Sequence, residues 1–391
     1  MAATNSQQTL GEFTARTTTE SVTQTVVLPL ETSERKNRKI QTAIEEFQSM
    51  CSYLGDMMAS IPEHQRSAKN PVLYRLVTSE FPNDDRETGS KVASAAKEHV
   101  AAAYESRRAL GSNGDRPEFD SLPFFMLDNQ CLTIERNDRG YGVKANFVPY
   151  QPEWFHINPS PYAEDYLERI VDGDGSIGTA EFRLSDDGSL ALHLPVTWDV
   201  EVYEAAEVST TIGVDLGENV IYAAAVVSGE NVEAVEMQTG SEFRHYRQRL
   251  QEKRDRLGEQ GDLRGLKKTR GEQRRYTEQV LDTASREIVD LAVKHSPVKI
   301  QLEDLTHYRE TARDPIHDWP FALLQEKIAY KATAEGIPVE TVNPRNTSVT
   351  CRKCGQMNRE YRDGNEFSCT RCGYEVHADV NAAINIAQEN C

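Results

Sequence analysis

The spacing of apolar positions divides the chain into three rhythms. Ile40, Ile44, Phe47, Cys51, Leu54 and Met58 recur every three or four residues, predicting an amphipathic helix of about six turns behind an N-cap in Glu31-Thr32-Ser33. A second such helix is predicted from Ser90 to Leu110, with a less regular helical stretch, Asn70 to Phe81, between them. After a polar break from Gly111 to Pro117 the period drops to two. Cys131–Glu135 and Tyr141–Phe147 read as a hairpin around Asn137-Asp138-Arg139-Gly140, and Thr179–Leu184 and Ser189–Leu194 as another around Ser185-Asp186-Asp187-Gly188. Thr197–Tyr203 adds a strand, and the early Thr23–Leu30 completes a small antiparallel barrel or sandwich, with the helices as an insertion. Residues 1–20 lack any period and read as a disordered tail.

The third rhythm starts at Thr211. A strand through Ile212-Gly213-Val214-Asp215-Leu216 is followed by Val220–Val227 and Asn231–Met237, three antiparallel strands with one carboxylate inside the first. A ribonuclease-H-like sheet begins this way. Two basic helices are predicted next, Ser241–Leu257 and Arg274–Lys294, with a glycine-rich turn from Gly258 to Gly265 between them. The short strand Val298–Leu302 then delivers Glu303 and Asp304 at its carboxyl end, a usual place for chemistry in an α/β sheet. A helix from Trp319 to Gly336, a strand from Ile337 to Val342 and a closing helix from Asp379 to Gln388 finish the pattern.

Charge complicates any reading that involves nucleic acid. The formal net charge is -18, whereas nucleic-acid-binding domains usually carry a clustered basic face. The distribution matters more than the sum: Arg244 to Arg275 holds twelve Arg or Lys against five acids. Within that island Arg244, Arg247, Lys253, Arg254, Lys267, Lys268, Arg270, Arg274 and Arg275 are the candidate phosphate contacts. Overall acidity is read either as the absence of a polyanion partner or as the solvated surface of a protein from a high-salt cytosol. Apolar runs are too short for a membrane span and the N-terminus has no signal-peptide pattern, so a cytoplasmic protein is expected.

Cysteine usage adds the sharpest local signal. Four of the seven cysteines form two Cys-x-x-Cys knuckles, Cys351/Cys354 and Cys369/Cys372, and such a pair reads as one structural Zn²⁺ held by four thiolates. Asp363-Gly364-Asn365 supplies the turn of a zinc ribbon. Two disulfides are the alternative arrangement, without secretory context to support it. Since four thiolates leave no open coordination position, chemistry must lie elsewhere. Asp215, Glu303 and Asp379 each fall at the edge of an element of one sheet. Three converging carboxylates suit two Mg²⁺ or Mn²⁺ ions and the in-line hydrolysis of a phosphodiester.

Gly213-Val214-Asp215-Leu216-Gly217, Gln301-Leu302-Glu303-Asp304-Leu305, Asn343-Pro344 with Thr347-Ser348, the two knuckles, and Asp379-Val380-Asn381-Ala382-Ala383-Ile384-Asn385-Ile386 together resemble the TnpB proteins of insertion sequences, the presumed ancestors of type V CRISPR effectors. The resemblance is clear from about 209 to 390, and before that is only an order of elements. It implies a mixed α/β multi-domain chain: a RuvC-like nuclease domain (209–350 and 373–391) with an inserted zinc ribbon (351–372), a wedge-like β-barrel (21–30 and 112–208) and a helical recognition lobe (31–111). It further implies an RNA-guided DNA endonuclease, with a guide RNA from the transposon end and double-stranded DNA as partners. Asp215, Glu303 and Asp379 would be its catalytic, magnesium-binding residues and the four cysteines its zinc ligands. His377-Ala378 departs from the Asp-Arg that relatives often carry before the last aspartate. A guided DNA-binding regulator that does not cut, and a recombinase that also joins strands, are the rival expectations.

Overall fold

The computed structural model describes residues 16–109, 116–304, 320–343 and 346–389, so Leu305, Trp319, Pro344, Cys391 and most of the 111–117 break lie outside the described residues. It divides into two compact units, Ser21–Asp199, and Val200–Cys391 with the N-terminal residues to Glu20.

In the first unit, strand β1 (Thr17–Leu30) buries alternate residues from Val22 to Leu30, the period-two pattern of a strand with one face on a core. Residues 17–20 were expected in the disordered tail; they form the start of this strand, and residues 1–15 lie outside the described residues. Helix α1 (Glu34–Ala59) starts where Ser33 accepts a bond from the Lys36 amide. It is followed by α2 (Pro71–Glu80), capped by Asn70, and α3 (Ser90–Ala109). Strands β2 (Phe124–Leu127), β3 (Leu132–Asn137), β4 (Gly140–Ala145) and β5 (Glu153–His156) come next, then helix α4 (Pro161–Asp172) and strands β6 (Gly175–Ile177), β7 (Ala180–Leu184) and β8 (Leu190–Tyr203). One sheet runs β1-β8-β7-β2 with β6 on β8, and β3-β4-β5 form another. An antiparallel bridge between Leu30 and Ile157 links them. Both expected hairpins are present, in registers Asn137↔Gly140 and Leu184↔Leu190. Phe125, Phe147, Phe155 and Phe182 fill the space between the sheets, with Phe125 stacked on Phe182 at 5.1 Å.

The second unit is a three-layer α/β/α arrangement. Strands β9 (Thr210–Leu216), β10 (Val220–Ser228) and β11 (Asn231–Thr239) are antiparallel, while β12 (Val298–Glu303) and β13 (Val339–Val342) add in parallel, giving the order β11-β10-β9-β12-β13. Ile212, Val214, Ile300 and Leu302 face a core made with α5 (Ser241–Glu259), α6 (Leu263–Lys294) and α7 (Phe321–Ala334). Helix α8 (Ala378–Gln388) covers the opposite face through Val380, Ala383, Ile384 and Ala387. The predicted start of the second basic helix at Arg274 is corrected. Chain reversal needs only Gly261, at φ 69°, after which Asp262 caps α6, so Gly265 and Gly271 lie inside a helix of 32 residues.

Candidate active site

Strand alternation decides which side chains face α8. With Ile212 and Val214 committed to the helical core, Gly213 and Asp215 must point to the other side, and Gln301 and Glu303 follow the same rule on β12. The strands run parallel with Leu302 paired to Val214. Their carboxyl ends therefore bring Asp215 and Glu303 side by side. Helix α8 crosses β9 at Gly213, where a Cβ would stand 2.0 Å from the Ala383 carbonyl oxygen. That close crossing sets the buried Asp379, in the first turn of α8, beside the two strand carboxylates.

The electrostatics register this convergence. Burial raises the Asp215 carboxyl well above its ordinary value, Glu303 and Asp379 push it further, and Arg362 pulls back. Glu303 is raised by burial as well, against a 2.5 Å bond that its Oε1 accepts from the Thr347 hydroxyl. Arg362, on strand β14 (Arg362–Asp363) of the cysteine module, donates from Nη2 to Asp379 Oδ1 at 2.7 Å, and His377 Nδ1 accepts from the Asp379 amide. Asn381, fully buried, donates to the Thr350 carbonyl and accepts from the Arg352 amide. Asn385 donates to the Thr347 and Thr350 carbonyls. Arg362 was not anticipated from the sequence, and Thr347, Asn381 and Asn385 appeared there only as motif letters. Asp304 continues the β12–β13 pairing through its amide, which donates to the Val342 carbonyl at 2.8 Å.

Among the described residues, the four cysteines are the group tight enough to hold one ion. Their sulfurs approach to 3.7 Å for Cys351–Cys372 and for Cys354–Cys369, close to the edge, about 3.8 Å, of a tetrahedron with metal–sulfur bonds of about 2.3 Å. A disulfide would need about 2.05 Å. Both knuckles repeat one geometry: Gly355 and Gly373, each at φ 68°, donate to the Cys351 and Cys369 carbonyls at 2.8 Å. Burial opposes the Cys369 thiolate, but the amides of Cys372 and Arg371 outweigh it and bring it down to about 6. Strands β14, β15 (Glu366–Ser368) and β16 (Glu375–His377) form the ribbon, turning at Gly364.

The predicted basic island is sorted by its neighbours. Arg244 bonds the Glu218 carbonyl and Asn219, Lys253 pairs with Glu272 at 3.0 Å, Arg254 bonds Gln273, and Arg274 pairs with Glu278 at 2.8 Å. Arg247 lies 4.0 Å from Glu218. Lys267, Lys268, Arg270 and Arg275 are exposed on α6.

With this geometry in view, the likeness to known proteins becomes specific. The family described as "Cas12f1-like, TNB domain" matches residues 321–386, the stretch holding α7, the cysteine module and most of α8. CRISPR-associated endodeoxyribonuclease Cas12f1 of Sulfoacidibacillus thermotolerans is 29% identical over 240 residues, 57% of this chain and 56% of that protein. The TnpB-like protein MJ0751 of Methanocaldococcus jannaschii is 33% identical over 132 residues, 32% of this chain and 47% of that protein. These likenesses are to TnpB-like proteins and Cas12f1 endodeoxyribonucleases. The chain's matches span about half the length of these two relatives. A Cas12f1–sgRNA–target DNA complex solved by cryo-EM has the same fold, with a TM-score of 0.63 at 15% identity over 95% of this chain and 99% of that one. Among the described residues, no helix is long and apolar enough to cross a membrane.

Proposed function

We propose that the chain is an RNA-guided DNA endonuclease encoded by an insertion sequence, and that its 3-2-1-4-5 sheet is a RuvC-type, ribonuclease-H-like nuclease fold. The convergence of Asp215, Glu303 and Asp379 on the α8 face of that sheet carries the reading. Three acidic side chains share a largely desolvated place with one arginine, a burden that raises the Asp215 carboxyl first through burial and then through Glu303 and Asp379. Divalent cations with oxygen ligands would relieve it, so the donor set fits Mg²⁺ or Mn²⁺. A pair of such ions, when bound, polarises a phosphodiester and activates water for in-line displacement. Asp215, Glu303 and Asp379 would hold them. Thr347 fixes one oxygen of Glu303 and leaves the other to ligate, while Arg362 keeps Asp379 oriented and adds positive charge where a phosphate would enter. Zinc fits the four thiolates as a structural ion.

In the guided part of this reading α1 to α3 would serve as a recognition lobe and the β-sheets of the first unit as a wedge that holds guide RNA and the DNA flanking the target. The ion pair of Arg362 with Asp379 favours a second reading, a guided DNA-binding regulator whose site the arginine has closed. One experiment separates them. RNA that co-purifies with the chain is sequenced, and a matching DNA duplex is offered with Mg²⁺ to the wild type and to Asp215→Ala. Cleavage by the wild type alone is expected; guided binding without cleavage by the wild type would establish the regulator.

A further inference from the structure

The basic island singled out by the sequence is not one surface. Lys253, Arg254 and Arg274 are engaged with carboxylates or an amide oxygen of the same two helices, and Arg244 and Arg247 reach Glu218, which neutralises or orients them. Arg264, Lys267, Lys268 and Arg275 differ: all four are exposed, and among the described residues they form no ion pair. With Gly271 they line a surface groove of about 350 Å³. Their positions fall three, four, seven and eleven residues apart from Arg264, counting Gly271 at seven, which is one face of an α-helix. Gly271, at the middle of the stripe, contributes no side chain and leaves the floor open between the cations. From Arg264 to Arg275 the helix rises on the order of 16 Å, the rise of about five nucleotides of one strand at 3.4 Å each.

Deepening the nucleic-acid reading above, on which it rests, we infer that this groove on the N-terminal half of α6 binds the phosphodiester backbone of a nucleic-acid strand, through Arg264, Lys267, Lys268 and Arg275. The lining residues are four cations and a glycine, with no aromatic or aliphatic residue among them, which suits phosphates rather than the anchors of a protein partner. The acidity of the whole chain strengthens the point, since a long-range field of net charge -18 repels a polyanion everywhere except where unpaired cations concentrate.

The test uses the full chain and two probes, a short fluorescent single-stranded RNA of mixed sequence and a DNA duplex, with affinity measured between about 50 and 200 mM salt. The groove variant combines Lys267→Gln, Lys268→Gln and Arg275→Gln. A control of equal charge, Lys253→Gln, Arg274→Gln and Arg286→Gln, removes cations that already have carboxylate partners. The logarithmic salt slope of the groove variant should shrink by about 2 for the RNA or about 3 for the duplex, with the control shifting it by less than half as much and thermal unfolding unchanged in both. Shrinkage confined to one probe assigns the groove to guide or target. Equal shifts in the two variants, or a groove variant that behaves as wild type, would overturn this inference while leaving the nuclease reading intact. A wild type that binds neither probe would overturn both.

Discussion

Gly213→Ala tests the architecture of the site without touching a carboxylate. A Cβ at this position would lie 2.0 Å from the Ala383 oxygen, 2.4 Å from the Ala387 nitrogen and 2.9 Å from the Ala387 Cβ, where real Cβ contacts essentially never fall below 3.0 Å. The two tightest clashes are with backbone, so rotamer changes cannot relieve them. Nor can β9 yield, because Gly213 is held on both sides, opposite Ala225 of β10 and Gln301 of β12. Helix α8 must move away by at least about 1 Å, and it carries Asp379. A misplacement of about 1 Å at a reacting centre costs on the order of 100-fold in rate, and overpacking of this kind costs about 1–3 kcal/mol. Guided, single-turnover DNA cleavage should therefore fall by about 100-fold, with the melting temperature lowered by roughly 2–12 °C. Ala387→Gly should not rescue the variant, since it removes only the longest of the three clashes. Wild-type cleavage and unfolding by Gly213→Ala would refute both the crossing and the placement of Asp379.

Three further outcomes are expected. Removing zinc with a strong chelator should open the segment between Cys351 and Cys372 to trypsin at Arg359, Arg362 and Arg371, because its own core is little more than Tyr361, Phe367 and Ala378; unchanged digestion would count against a structural ion. In the first unit, burial holds His99 below the ordinary value of 6.5, among the rings of Phe47, Phe119 and Phe124, with Glu181 opposing. The unfolded chain therefore binds the proton first, so stability is intact above about pH 6.5 and is lost as pH falls towards the lower folded value; chemical denaturation should show this slope below about pH 6.5, and His99→Phe should reduce it, with His193, also lowered by burial, keeping the remainder. Tyr150 is fully exposed at φ 59°, a left-handed conformation that costs a side-chain-bearing residue about 1–2 kcal/mol. Tyr150→Gly should stabilise the protein by about 0.5–1 kcal/mol after the entropy of glycine is counted, and a loss of stability in urea titration would contradict the strain.

Legibility of the sequence followed the range of the interactions involved. Wherever a local period sets the structure, as in α1 or in the β9–β10–β11 meander, the elements are readable to within a residue or two. Helix α4 carries local signals of its own: Ser160 caps it, Pro161 opens it, and Gly173 at φ 86° closes it. Strands β2 and β5 are only four residues long, too short for alternation to stand out. The carboxylate trio could be proposed because each member sits at the end of a periodic element. Arg362 could not, because its reach to Asp379 depends on how β14, β15 and β16 pair, with Arg362 opposite Phe367 and Glu366 opposite His377. Which cations of the basic island remain unpaired is equally a tertiary fact, set by facing positions of α5 and α6 such as Lys253 and Glu272.

The cysteine module bears on the carboxylates although an ion held by its four thiolates would do no chemistry. Strand β16 runs directly into α8, and the Ala378 amide, at the junction, donates to the Asn365 carbonyl in the turn of the ribbon at 2.7 Å. From the same ribbon Arg362 orients Asp379. From the segment entering the first knuckle, Thr347 orients Glu303, while Asn381 and Asn385 tie that segment back to α8. Two of the three carboxylates thus take their orientation from a module that cannot close a core unaided. Zinc affinity and site geometry are consequently linked: loosening the four thiolates frees Arg362 and Thr347 together, leaving the like-charge repulsion at Asp215 with less to oppose it. The raised carboxyl of Asp215 should then rise further, which would tie the divalent-cation affinity proposed for the trio to the metal occupancy of four thiolates it never touches.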